Sequence, residues 1–271
     1  MPNHVTNIVT FLGSTERIKE LREKCKGEKS VFSFQSFFPM PIELKGTSSP
    51  AKIVSKAEVD EWKRKAENNE LSEFEKGYRP ITQKESDLYI SRYGTDNWYD
   101  WQVQNWGTKW DCYTDFELDF NQISFSTAWS TPLRALVRLS ELYEDITIEV
   151  KYADEDLGSN TGTYTIQSGF IVELYQPEYS KESFSLALEI LGDKEYWLMD
   201  RLCEIDENSE LTEFEEWLVE LAHDESNLLD EYPLPVVIKL KELAIRDQDY
   251  KRATILRNLE KIKLNLDNMQ Q

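Results

Sequence analysis

"ISFSTAWSTPLRALVRLSELYEDITIEVKYADE", residues 123–155, reads as strand, helix and strand in immediate succession. The first part carries β-branched and aromatic residues up to Trp129. Ser130 then stands as an N-cap with Pro132 in the first turn, and Leu133, Leu136, Val137, Leu139 and Leu142 form one apolar face at helical spacing. "ITIEVKYADE" alternates again as a strand. One β-α-β step is therefore written in contiguous sequence.

Toward the N-terminus the same grammar recurs. "VTNIVTFLG", residues 5–13, alternates and stops at Gly13; Ser14 caps a helix through "TERIKELREKC", with Ile18, Leu21 and Cys25 on one side. "SVFSFQSFFPMP", residues 30–41, reads as an aromatic strand ended by two prolines, which cannot donate ladder hydrogen bonds. Residues 42–97 break the rhythm with two charged helical stretches and read as an insertion. "DFELDF" and "ISFSTAW", separated by Asn121 and Gln122, suit a hairpin or a bent strand, and "TGTYTIQSGFIVELYQ", residues 161–176, adds further strands. The order predicts an α+β fold: a ferredoxin-like split βαβ antiparallel sheet with a helical insertion, helices covering one face. It occupies residues 1–178, and residues 179–271 read as an acidic, all-helical region ending in a helical hairpin at 233–271.

Charge divides unevenly. Residues 1–110 carry 17 Lys and Arg against 16 Asp and Glu, residues 233–271 carry 8 against 5, and residues 111–232 carry 6 against 30. The whole net charge of −20 thus sits in the middle segment, which repels a phosphate backbone and attracts basic protein surfaces. A solvated acidic surface and a surface that imitates nucleic acid both fit it. Direct nucleic-acid binding is not expected. No apolar run reaches eighteen residues and the N-terminus has no basic region before a cleavage site, so a cytoplasmic protein without a membrane span is expected. Cys25, Cys112 and Cys203 are isolated and read as reduced, mostly buried thiols.

Five ordered segments, "MPNHVTNIVTFLG", "FFPMP", "NWGTKWD", "FSTAWSTP" and "YADEDLGSNTGTY", together resemble the YubB/Api-like proteins of phages and plasmids across about residues 1–175. The resemblance rests on Trp106, Gly107, Thr108, Lys109, Trp110 and Asp111, on Thr127, Ala128, Trp129, Ser130 and Pro132, and on Tyr152, Glu155, Gly158, Gly162 and Tyr164. It implies a ferredoxin-like domain in a mobile-element protein and assigns no molecular function. The long insertion and helical C-terminus depart from the pattern. A second stretch, "LKELAIRDQDYKRATILRNLEKIKL", is similar to the UvrB/UvrC helical-hairpin motif; Leu240, Leu243, Tyr250, Ala253, Leu256 and Leu259 form its apolar seam. It serves as a packed hairpin or as a contact for a partner or second copy, and does not imply DNA repair.

The candidate site is "WYDWQVQNWGTKW", residues 98–110. Its indoles are either core or a ligand and partner surface, with Trp106 and Trp110 expected inside and Trp98, Tyr99 and Trp101 at a pocket. Lys109, Asp154, Glu155 and Asn160 are candidate polar contacts beside it. Asp154, Asp156 and Asn160 have a cation-loop look but lack the glycine and terminal glutamate of an EF-hand, so no metal is assigned. His4 and His223 are the only histidines and fit no triad or metal spacing, no phosphate-binding loop occurs, and three scattered cysteines cannot hold an iron–sulfur cluster. No cofactor and no catalytic residue is assigned. The expectation is a non-catalytic binding protein that occupies a host protein or complex with a basic surface. Glu213, Glu215, Glu216 and Glu220 are the candidate acidic contacts. A small-molecule or nucleotide binder using the aromatic pocket, or an enzyme with Asp154 or Glu155 as base, is the alternative.

Overall fold

The computed structural model describes residues 2–192, 212–214, 217, 218, 221, 234–246, 253, 256, 257 and 260. The chain divides into two compact units, Met1–Pro177 and Glu178–Gln271.

The first unit is built on β1 (His4–Leu12), which takes neighbours on both sides. It pairs antiparallel with β3 (Gln122–Ala128) and with β4 (Thr147–Asp154). β2 (Tyr113–Asp119) lies outside β3; β5 (Gly162–Gln167) and β6 (Phe170–Tyr175) continue beyond β4, giving the order β2-β3-β1-β4-β5-β6. The first four positions of that order are the ferredoxin-like arrangement. Alternation dictates the pairing register: Val5, Val9 and Phe11 are fully buried, as are Ile123, Ile148 and Ile166 on their neighbours. They share one core with Ile18, Leu21 and Cys25 of α1 (Thr15–Cys25) and with Ala135, Leu136 and Leu139 of the helix Leu133–Leu142.

Two expectations give way here. "SVFSFQSFFPMP" is not a strand but a loop enclosing the one-turn helix α2, Phe34–Phe37. Phe32, Phe34 and Phe37 are all buried, and Phe32 stacks on Phe125 at 5.3 Å between centroids. A strand would turn Phe37 away from Phe34, whereas a helical turn puts positions three apart on one side. The strand that follows α1 in the split βαβ is therefore β2, and the whole insertion lies between them. The second correction concerns Ser130. The cap position of Leu133–Leu142 is Pro132, and the Ser130 hydroxyl instead donates to the Gly107 carbonyl at 2.5 Å. Ser14 does cap α1, accepting from the Arg17 amide.

Within the insertion, α3 (Lys56–Glu67), α4 (Glu73–Lys76) and α5 (Gln83–Tyr93) each begin with a capping box: Ser55 with Glu58, Ser72 with Glu75, and Thr82 with Glu85. These reciprocal bonds let short, charged helices form with few buried residues. α6, Trp98–Asn105, follows, capped by the Asn97 side chain on the Asp100 amide; with it the helix Leu133–Leu142 is α7.

In the second unit, α8 (Lys181–Leu191) buries Phe184, Ala187, Leu188 and Ile190, and Phe184 meets Phe214 and Trp217 edge-on. The helix Leu234–Arg246 buries Val237, Leu240 and Ala244; Ala253 and Leu256 are buried as well, and Lys241 pairs with Glu260 at 2.6 Å. Leu259, Tyr250 and the expected turn at Asp247–Asp249 lie outside the described residues.

Burial pushes the Cys25 thiol up to about 12. Cys112 is raised further, by burial first and then by Asp111 and Asp115, and its thiol donates to the Phe32 carbonyl at 3.0 Å. Because the thiolate is the reactive species, neither cysteine should be alkylated at neutral pH in the native protein, and both should be after denaturation. Peptide mapping after a timed exposure to iodoacetamide checks this; native labelling of either at the rate of a free thiol would overturn it.

Candidate functional site

The tryptophan-rich stretch is shared between core and surface. Trp106 is 1% exposed, its indole N–H donates to the Phe38 carbonyl at 2.9 Å, and Trp101 meets it edge-on at 5.7 Å. Trp101, expected at a pocket, is therefore core, while Trp110, expected inside, is exposed. The reason is the chain reversal between them. α6 stops at Trp106, Gly107 takes φ +85°, and the following residues run outward.

Thr108 and Ser130 join this reversal to the end of β3. The Thr108 hydroxyl donates to the Ala128 carbonyl at 2.8 Å and accepts from the Ala128 amide at 3.2 Å. Next to that joint stands Trp129, 43% exposed and held at φ +71°. A left-handed backbone costs an L-residue roughly 1–2 kcal/mol and is unusual for so bulky a side chain. Its neighbours enforce it: the Trp129 amide donates to the Asn3 carbonyl at 3.0 Å, and its carbonyl accepts from the Asn160 side chain at 3.1 Å. Buried Asp154 fixes both partners, accepting from Asn3 at 3.1 Å, from Asn160 at 3.0 Å and from the Asp156 amide at 3.0 Å. Asp154 and Asn160 are thus the frame that positions Trp129.

The result is a row of rings. Trp98 meets Tyr99 edge-on at 5.8 Å and Tyr99 meets Trp129 at 6.2 Å. Lys109 reaches between two indoles, its ammonium 4.5 Å from the Trp110 centroid and 4.6 Å from that of Trp129. Beyond Trp110, Tyr113 stands edge-on and bonds His4 at 2.6 Å; burial and the Glu155 charge raise the Tyr113 hydroxyl above its usual range. Trp98, Tyr99, Lys109 and Trp129 line an open groove of about 460 Å³. The inserted segment contributes Ser48, Ser49, Gly77 and Tyr78 to its lining.

Of the sequence-predicted residues, the structure brings Trp98, Tyr99 and Lys109 together in the groove. Trp110 sits on the far side of Lys109, and Glu155 is exposed beside the Asp154 frame. Glu213 is exposed and pairs with Lys181 at 3.3 Å; Glu215, Glu216 and Glu220 lie outside the described residues. Sequence reasoning missed Trp129, Tyr78 and Ser49 as groove residues. Only Trp129 had a signal, its place in "FSTAWSTP". Among the described residues, no group of three His, Cys, Asp or Glu is placed to hold a metal, and no helix is long and apolar enough to cross a membrane.

Fold and site define an α+β protein with a ferredoxin-like core that presents an aromatic groove at one end of its sheet. Residues 105–197 match the family model described as the ferredoxin-like domain in Api92-like protein, which bears out the resemblance to Api-like proteins and takes in β2 through α8. The solved structure of protein Api92 from Yersinia pseudotuberculosis is similar at 9% identity, with a TM-score of 0.35 over 66% of this chain and 99% of that one. No curated protein matches the chain.

Proposed function

We propose that the protein is a non-catalytic binding protein that docks on a partner protein with a basic surface, with the edge strand β2 as its docking element. One observation carries this reading: Phe116, Leu118 and Phe120 are 49%, 46% and 55% exposed at the rim of the sheet, alternating with Asp115, Glu117 and Asp119. Among the described residues no strand pairs with the outer side of β2. Such an edge accepts an extended segment of another chain as an added strand, and the net acidity of the surrounding segment favours a basic one. β2 opens the acidic segment 111–232, so long-range attraction and docking coincide. In the mobile-element setting that the family resemblance suggests, the partner belongs to a host defence or nucleic-acid-handling complex in the cytoplasm, and the acidic segment imitates the nucleic acid such a complex holds.

The test is a paired substitution, Phe116→Lys with Leu118→Lys. Both positions are exposed, so stability should change by only about 0.5 kcal/mol each, while lysines on the edge oppose both strand addition and a basic partner. Affinity capture from an extract of a host cell, analysed by mass spectrometry, should lose its partner with the variant. Capture by the native chain should also weaken between about 0.1 M and 1 M salt, as the screening length falls from about 10 Å to about 3 Å. A partner retained by the variant, or indifferent to salt, refutes the reading.

A further inference from the structure

Lys109 is the one charged residue lining the groove, and among the described residues it has no carboxylate partner. Two indoles fix its ammonium from either side without consuming its N–H donors, because a ring face attracts the cation as a whole. The groove therefore offers a positioned cation at one end and the rings of Trp98, Tyr99 and Trp129 beside it. Tyr78, 44% exposed, and the exposed Ser49, both from the inserted segment, line it as well. Its volume of about 460 Å³ falls in the range of small-molecule sites, about 300–1,000 Å³. The backbone strain at Trp129 is the second, independent sign: the fold holds an indole open to solvent at a position where glycine would be easier.

We infer that this groove is a binding site for a mononucleotide, with the base against the aromatic side chains and the phosphate at Lys109. A flat ring system satisfies the indole and phenol walls, which discriminate poorly between bases because every base has a π-face. The anion satisfies the Lys109 ammonium. A single lysine suits a single phosphate group; the groove lining holds no second cation for the further phosphates of a longer strand. The site is separate from the β2 edge and stands whether or not the docking reading does.

Isothermal titration calorimetry on the full chain tests it, with adenosine and uridine monophosphates, the two nucleosides, inorganic phosphate and a short single-stranded oligonucleotide as probes. Both monophosphates should bind, each about tenfold or more tighter than its nucleoside, since a charge-assisted hydrogen bond is worth about 1.5–3 kcal/mol. Lys109→Met keeps the stem and removes the charge; it should erase that difference while leaving nucleoside affinity in place. Trp129→Gly removes a ring and relieves the left-handed backbone, so the variant should melt no lower than the native protein while losing both ligands. Absence of binding by either monophosphate, equal affinity for nucleoside and monophosphate, binding unchanged in Lys109→Met, or tighter binding of the oligonucleotide each overturns the inference. The Phe116→Lys and Leu118→Lys variant should bind the monophosphates normally, so a failure at β2 and a failure at the groove are read separately.

Discussion

Replacing Trp106 by alanine should cost about 3–5 kcal/mol of folding stability, a large share of the 5–15 kcal/mol that a domain commonly has. Trp106 is among the largest side chains with less than 2% exposure, and it touches both Phe34 and Trp101, so its removal leaves a cavity bounded by rings from two segments. The loss has a polar component too, because the Phe38 carbonyl would lose its indole donor. Truncating Trp110, exposed and in contact with Lys109, should change stability by about 0.5 kcal/mol or less, and Trp101→Ala should fall near Trp106→Ala. Urea unfolding of the three single variants decides it. Equal midpoints for Trp106→Ala and Trp110→Ala would refute the division of the stretch into core and surface.

That division shows where sequence stopped being informative. The strands β1, β4 and β5 and the helices α1 and α7 were legible because each buries one side, and burial of one side leaves a period; β3, mostly buried, and β6, exposed throughout, were legible from their β-branched and aromatic residues. Phe32, Phe34 and Phe37 leave none, since a segment buried on several sides carries apolar residues without alternation. In "WYDWQVQNWGTKW" the helix gives Trp98 and Trp101 the same spacing, yet only Trp101 reaches the core. The side on which each indole falls depends on the sheet end across from it. The left-handed backbone of Trp129 is likewise invisible, because it is imposed by Asn3 and Asn160, far away in the chain. The groove wall from Ser49 and Tyr78 belongs to an insertion whose local pattern announces only capped helices. Its proximity to Trp129 is a tertiary fact without a local trace.

Asp111→Ala should be the most damaging polar substitution in the first unit, at about 2–3 kcal/mol. One Asp111 oxygen accepts from the Phe34 amide at 2.7 Å and from the Cys112 amide at 2.9 Å; the other accepts from the Ser33 hydroxyl at 2.6 Å. α2 is four residues long, and a single turn fixes more torsions than its internal bonds repay, so it needs an external acceptor at its N-terminus. A carboxylate there also complements the partial positive charge of the exposed amides. Because Phe32 and Phe34 are fully buried, release of this turn would disturb the centre of the core, not only the surface. The aspartate that closes "NWGTKWD" therefore has a structural reason to be present, independent of any partner. Asp111→Asn retains one carbonyl acceptor for the Phe34 amide and should cost less, about 1 kcal/mol. Urea unfolding, with hydrogen exchange at the Phe34 amide, tests both: alanine should lower the midpoint and speed exchange, and asparagine should fall between. If Asp111→Ala unfolds at the native midpoint with Phe34 still protected, the turn is held by phenylalanine packing alone and the capping account fails.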